Sequence, residues 1–199
     1  MAREMFHRAQ IPDPPIAQFL FADTRLAWFW LAVRVYAGYE WLTAGLEKLG
    51  NPAWAGSKAG AAVTGFVLGA LEKTTGVHPD VTGWYSSFLH SVVLPHAAFW
   101  SWFVTLGEIA VGAGLILGLF TGIAAFFGGL MNANYLLAGT VSTNPILFIL
   151  ATWLVLAWRV AGYYGLDRWV LPALGVPGYP GALFERAGLS THKVVAQPR

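Results

Sequence analysis

The 199-residue sequence contains no cysteine, and only 11% of its residues are charged. The first absence excludes disulfides, thiolate metal sites, iron–sulfur clusters, attached c-type haem and cysteine-based sulfur chemistry within the chain. The second sets it well below the roughly 25% charged content of soluble domains, while 56% of its residues are hydrophobic. A net charge of +2, scattered along the chain, offers no basic patch to nucleic acid. Residues 1–24 lack an apolar run followed by a small-residue cleavage site, so the first span is expected to act as its own insertion signal. These limits leave an all-α integral membrane protein of one compact domain.

Apolar runs divide the chain into a polar segment (residues 1–24), a membrane domain (25–175) and a polar, Gly/Pro-rich tail (176–199). Spans are expected at about 25–48, 95–119, 121–137 and 145–164, forming a four-transmembrane-helix bundle. Residues 51–94 form a long connection with two short apolar pieces, 61–71 and 84–94, which read as interfacial or re-entrant helices. Four spans put both termini on one side, with Arg3, Arg8, Arg25, Arg159, Arg168, Arg186, Lys193 and Arg199; the other carries Lys48, Lys58 and Lys73. The positive-inside rule then places both termini in the cytoplasm and the long loop outside a plasma membrane. Trp28, Trp30, Trp153, Trp158, Trp169, Tyr163 and Tyr164 suit interfacial belts.

The charges inside the spans carry the functional question, because an ionisable group in a membrane helix is either partnered or used. Counting helical rise from the expected cytoplasmic ends puts Arg34 ~13 Å up span one and Glu108 ~16 Å up span two. The same count puts Asn132 and Asn134 ~15–20 Å up span three, and Glu40 ~9 Å beyond Arg34. Two readings are open: an Arg34–Glu108 ion pair that locks the bundle, or a cluster that binds a polar head group such as a quinone ring. Glu40 reads either as a carboxyl solvated in an outer vestibule or as a proton carrier. His78, His90 and His96 fall in the outer loop or at its edge, so neither a haem nor a metal site is expected. Gly107, Gly112, Gly114, Gly118, Gly122, Gly128 and Gly129 permit close helix approach.

The stretches RVYAGYEWLTAGLEKL, GEIAVGAGLILGLFTGIAA, LMNANYL and GYYGLDRW together resemble the DoxX/DoxD family of four-helix membrane proteins. The branch that they resemble is DoxD-like, similar to the large subunit of thiosulfate:quinone oxidoreductase. That resemblance implies quinone-linked redox chemistry, with thiosulfate oxidised to tetrathionate and electrons passed to a quinone. It also implies partners: the lipid bilayer, a quinone, and further redox subunits, either DoxA-like or belonging to a larger respiratory complex. Carried over residue by residue, it makes Arg34 and Glu108 candidate catalytic residues and Trp41, Lys48 and Asn132 candidate substrate or quinone contacts. Asn134, at the depth of Asn132, and Glu40, further out toward the long loop, join the candidate quinone contacts. Three functions follow: an oxidoreductase subunit with quinone as substrate, a non-catalytic anchor that guides quinone within a larger complex, or a small transporter. The last is disfavoured, since no pair of broken helices is present.

Overall fold

The computed structural model describes residues 13–176, and among them every regular element is helical. Pro15 opens the helix α1 (Pro15–Ala22) in its first turn, where a missing N–H leaves no bond unmade. Asp23 then accepts from the Arg25 amide at 2.9 Å and pairs with its guanidinium at 2.6 Å, turning the chain into α2 (Ala27–Leu49). Trp30 Nε1 donates to the Leu20 carbonyl at 2.7 Å and pins α1 back on α2.

The helix α2 buries one stripe, Trp30, Arg34, Ala37, Gly38, Trp41 and Gly45, at helical spacing. It runs antiparallel to α5 (Ala97–Leu117) with the backbones touching. A Cβ on Gly38 would lie 2.9 Å from the Ile116 nitrogen, one on Gly45 2.8 Å from the Ile109 nitrogen, and one on Gly112 would land on the Leu42 backbone. Small residues at a helix crossing remove the side-chain layer that otherwise keeps axes apart. A tight turn through Gly118 and Phe120, both at positive φ, leads into α6 (Thr121–Leu137), which packs along α7 (Asn144–Leu156).

Two expected boundaries are corrected. The sequence expectation is a span two at 95–119 and a separate interfacial or re-entrant helix at 84–94. Instead Gly83–Leu117 is one helical run of 35 residues. It begins as α4 (Gly83–Phe88), widens into a π-turn (Leu89–Val93), tightens into a 3₁₀ turn (Leu94–His96) and continues as α5. Pro95 is tolerated because its missing N–H falls where the ladder changes pitch, and the Leu94 amide reaches back to the Leu89 carbonyl. Span four, expected over 145–164, stops at Leu156 and bends at Ala157 into the short α8 (Trp158–Ala161). A further short helix, α9 (Asp167–Ala173), follows.

By itself, Gly83–Leu117 is long and apolar enough to cross a membrane, and α1 with Thr24–Leu49 qualifies as a pair bent by 46°. The other bundle helices are shorter, 17 residues for α6 and 13 for α7. Their outward faces are nonetheless apolar: Phe99 and Phe103 on α5, Phe126 and Phe127 on α6, Ile146 and Ile149 on α7 are all exposed. A continuous apolar exterior of this kind marks contact with lipid or another protein.

The connection between α2 and α4 is ordered. α3 (Ala61–Leu71) stands where residues 61–71 were expected to be helical, and its Val63 and Val67 pack with Tyr85, Leu89 and Ala138. Gly60 makes this docking possible: it sits at φ 100°, and a Cβ there would lie 2.7 Å from the Ala98 nitrogen. The segment thus closes over the Ala97 end of α5 and the Leu137 end of α6. Residues 1–12 and 177–199, including most of the expected terminal segments and their cations, lie outside the described residues.

Candidate functional site

The charges of the helical bundle fall into two assemblies instead of one. At the end of the bundle where α2 starts and α5 stops, here called the inner end, Gly118 turns α5 off in the left-handed region; its amide reaches back to the Leu115 carbonyl at 3.3 Å, and the last carbonyls of the helix keep acceptor capacity. Arg34, 1% exposed, fills that end: Nη1 donates to the Leu115 carbonyl at 2.9 Å and to Ile116 at 3.5 Å, and Nη2 to Tyr164 at 3.3 Å. A cation at the negative end of a helix dipole is favourably placed. Asp167 does the complementary task for the next helix, accepting from the Phe120 amide at 2.6 Å and the Thr121 amide at 2.9 Å. The Leu166 and Asp167 amides donate to Leu117 and Gly118, so the GYYGLDRW segment is stitched onto the turn. A Cβ on Gly118 would collide with the Arg34 guanidinium. This is a sealed structural joint.

The Arg34–Glu108 pair, one of the two readings open in the sequence, is therefore absent. The depth count took the inner ends of α2 and α5 as level, whereas the first two turns of α2 project past the end of α5. Gly45, and not Arg34, faces Glu108: a Cβ on Gly45 would lie 3.1 Å from Glu108 Cβ. Eleven residues of α2 separate the two levels, about 16 Å by helical rise.

Glu108 instead belongs to an outer cluster. Lys48, in the last turn of α2, donates to Glu108 Oε2 at 2.7 Å and Oε1 at 2.9 Å. Tyr135 on α6 donates its hydroxyl to Oε1 at 2.7 Å. The carboxylate is 1% exposed, and the Lys48 side chain 20%, so the lysine is the cluster's link to the outside. Trp54 lies under the ammonium, 5.1 Å to the ring centre, and its carbonyl is held by Ser101 Oγ at 2.6 Å. Trp41 stacks on the Tyr135 ring with centroids 6.5 Å apart, and Phe66 meets that ring edge-on at 6.1 Å. Side chains from α2, α3 and α5 thus converge on one tyrosine of α6.

Tyr135 also lines a cavity of about 670 Å³ between α5 and α6, roofed by α3 and α4. Trp54, Phe66, Tyr85, Trp100 and Met131 share its outer half, and Leu117, Phe120 and Ile123 close the inner end. The lining of α5 runs from Trp100 to Leu117, about 26 Å by helical rise. Polar groups gather at the outer end, where the Tyr85 hydroxyl donates to the Asn134 carbonyl at 2.9 Å and contacts Asn134 Oδ1 at 3.2 Å. An elongated apolar cavity with a few polar groups at one end suits an amphipathic small molecule.

Of the residues singled out in the sequence, Glu108, Lys48 and Trp41 meet around Tyr135, and Asn134 lines the cavity. Asn132 is fully buried one turn from Tyr135, and neither its Oδ1 nor its Nδ2 has a partner among the described residues. Arg34 belongs to the inner joint, and Glu40 lies on another face of α2. Sequence reasoning missed Tyr85 and Trp54 and gave Tyr135 and Asp167 no role. Tyr135, three residues from Asn132 and thus on its helix face, carried a signal that could have been read. Among the described residues no three His, Cys, Asp or Glu side chains cluster as a metal site.

No curated protein and no solved structure matches the chain. The DoxX family model does, over residues 29–140, which holds the entire outer cluster and stops short of Asp167. With more than half of its length matched, this chain, all-helical among the described residues, belongs to the DoxX family of membrane proteins.

Proposed function

We propose that the chain is the quinone-handling membrane subunit of a quinone-linked oxidoreductase, multi-pass in the plasma membrane with its long 51–94 segment outside. One observation carries this reading: the Tyr135 ring lines an apolar cavity while its hydroxyl donates to a buried carboxylate, Glu108. Reduction of a quinone takes up protons, and a tyrosine at the cavity wall, backed by an ionisable group, can supply one. In this reading a quinone head lies against Tyr135, with Tyr85 and Asn134 fixing its other edge, and its apolar tail follows α5. Glu108 exchanges protons with Tyr135, Trp41 holds the ring, and Lys48 compensates Glu108 and connects it to the outer surface.

The resemblance also implies thiosulfate or a related small donor. An anionic donor needs a free cation, yet Lys48 is committed to Glu108 and Arg34 to carbonyl oxygens. This favours donor oxidation on a partner subunit, DoxA-like or part of a larger respiratory complex, with this chain anchoring it and guiding quinone. No haem, metal or cluster is assigned to this chain.

The test is purification in mild detergent from native membranes, followed by mass spectrometry of bound lipids and proteins. Quinone enriched over bulk lipid, and lost in Gly107→Phe, supports the reading. Gly107 lines the cavity and has only Met131 Sδ, at 3.5 Å, near its would-be Cβ, so a phenyl ring there fills the ligand's space. Quinone at the bulk-lipid level contradicts it. Thiosulfate-driven quinone reduction by the chain alone would move donor oxidation onto this subunit.

A further inference from the structure

Among the described residues, Glu40 is a charge in the middle of the helical bundle that is left unanswered; Glu47, two turns on along the same face of α2, is likewise unpaired but is exposed near the helix end. Arg34 is held by three carbonyls, Lys48 and Glu108 by each other, and Asp167 by two amides. Glu40 lies in the middle of α2 (Ala27–Leu49), about 20 Å by helical rise from its start. Its carboxylate has no hydrogen-bond or ion-pair partner among the described residues. The Thr43 hydroxyl, one turn on, is turned onto the backbone, donating to the Tyr39 carbonyl at 2.8 Å and the Glu40 carbonyl at 3.1 Å.

Its direction is fixed by the packing. Glu40 lies roughly 140–160° around the helix from Gly38 and Gly45, the glycines whose backbones touch α5. It is half-buried, and its flank carries Tyr36 and Tyr39, 47% and 60% exposed. A carboxylate at mid-bilayer depth is costly unless partnered, and in membrane proteins such groups face a protein neighbour or water.

We infer that the Glu40 flank of α2 is a docking face for a transmembrane helix of a different polypeptide, one that presents a lysine or arginine at mid-bilayer depth. Charge complementarity fixes the kind of occupant. A second copy of this chain does not meet it: the described cations outside the two assemblies lie in loops or at helix ends, Arg25 before α2 and paired with Asp23, Lys58 before α3, Lys73 after it and bonded to the Gly139 carbonyl, Arg159 in α8 and Arg168 in α9. A two-fold contact through this face would also set carboxylate against carboxylate. The flanking tyrosines add large, rigid contact surface of the kind enriched at interfaces. This inference rests on α2 crossing the bilayer and is independent of the quinone reading.

The test uses the full chain in its native membrane, with a photo-cross-linking residue at Tyr39 and, as control, at Phe126 on α6, 55% exposed. The expected result is a Tyr39 adduct to a transmembrane segment containing Lys or Arg, with no such adduct from Phe126. Glu40→Lys should lower the yield about tenfold or more by placing like charges together, and the reciprocal Glu in the partner should restore it. Glu40→Gln, which keeps the shape, should also lower the yield and guards against misfolding of the lysine variant. An adduct to a second copy, to lipid alone, or to a segment without a basic residue overturns the inference, as does failure of the charge swap. Because the chain has no cysteine, Glu40→Cys gives a single thiol. Its labelling in intact membranes by a water-soluble maleimide would overturn the inference by showing the flank in water, and would leave the quinone reading standing.

Discussion

Lys48 Nζ lies 2.7 Å from one oxygen of Glu108 and 2.9 Å from the other, tying the last turn of α2 to the middle of α5. The pair is asymmetric, since the lysine retains some exposure and the carboxylate almost none. Lys48→Met therefore strands a buried charge and is expected to cost about 3 kcal/mol or more. Glu108→Gln leaves a lysine that can turn outward and should cost less. The double variant should melt nearer the wild type than Lys48→Met does, read by thermal unfolding in detergent. Additive losses would argue against a direct pair.

Asp167 caps α6 from across the inner turn. Asp167→Ala should cost about 1–2 kcal/mol for the cap alone, and Asp167→Asn less, because it keeps one acceptor. Gly118→Ala should be worse than either, since the added methyl takes the place of the Arg34 guanidinium at a positive φ. The same melting assay ranks all three.

Glycines separate into those that set helix distance and those that do not. Gly112→Ala places a methyl on the Leu42 backbone and should force α2 and α5 apart. Gly65→Ala, in α3 with nothing within 4 Å of the new Cβ, should be neutral or stabilising by about 0.5–1 kcal/mol through helix propensity. A comparable loss in both would mean that glycine is not what holds α2 against α5.

Tyr135→Phe keeps the ring that Trp41 stacks on and removes the hydroxyl that reaches Glu108. Stability should fall by about 1 kcal/mol, and quinone affinity should change little. Quinone turnover by the assembled enzyme should drop about a hundredfold or more if the hydroxyl passes the proton. A variant with unchanged turnover would remove Tyr135 from the proton path.

Much of this was legible in the residues, and the errors have physical causes. Arg34 and Glu108 stood out because charge within an apolar run is rare, and both are indeed buried and bonded. Their partners were not legible: Lys48 and Glu108 are 60 residues apart, and helix register is set by where Gly38, Gly45 and Gly112 let backbones touch. Counting rise from expected ends took those ends as flush. Pro95 was read as a helix start because proline usually is one, and the π-turn that absorbs it leaves no signal in LHSVV. Tyr135 looked like one more aromatic among many until its hydroxyl was placed 2.7 Å from a carboxylate.

The central claim is that the cavity beside Tyr135 takes a quinone, and the most direct measurement is a fluorescence titration of the purified chain with a short-tailed quinone. Trp54 and Trp100 line the cavity and Trp41 stacks on Tyr135, so a bound quinone should quench them. The account predicts saturable quenching that persists in Tyr135→Phe and disappears in Gly107→Phe. Quenching that never saturates, or that is undiminished in Gly107→Phe, would contradict it.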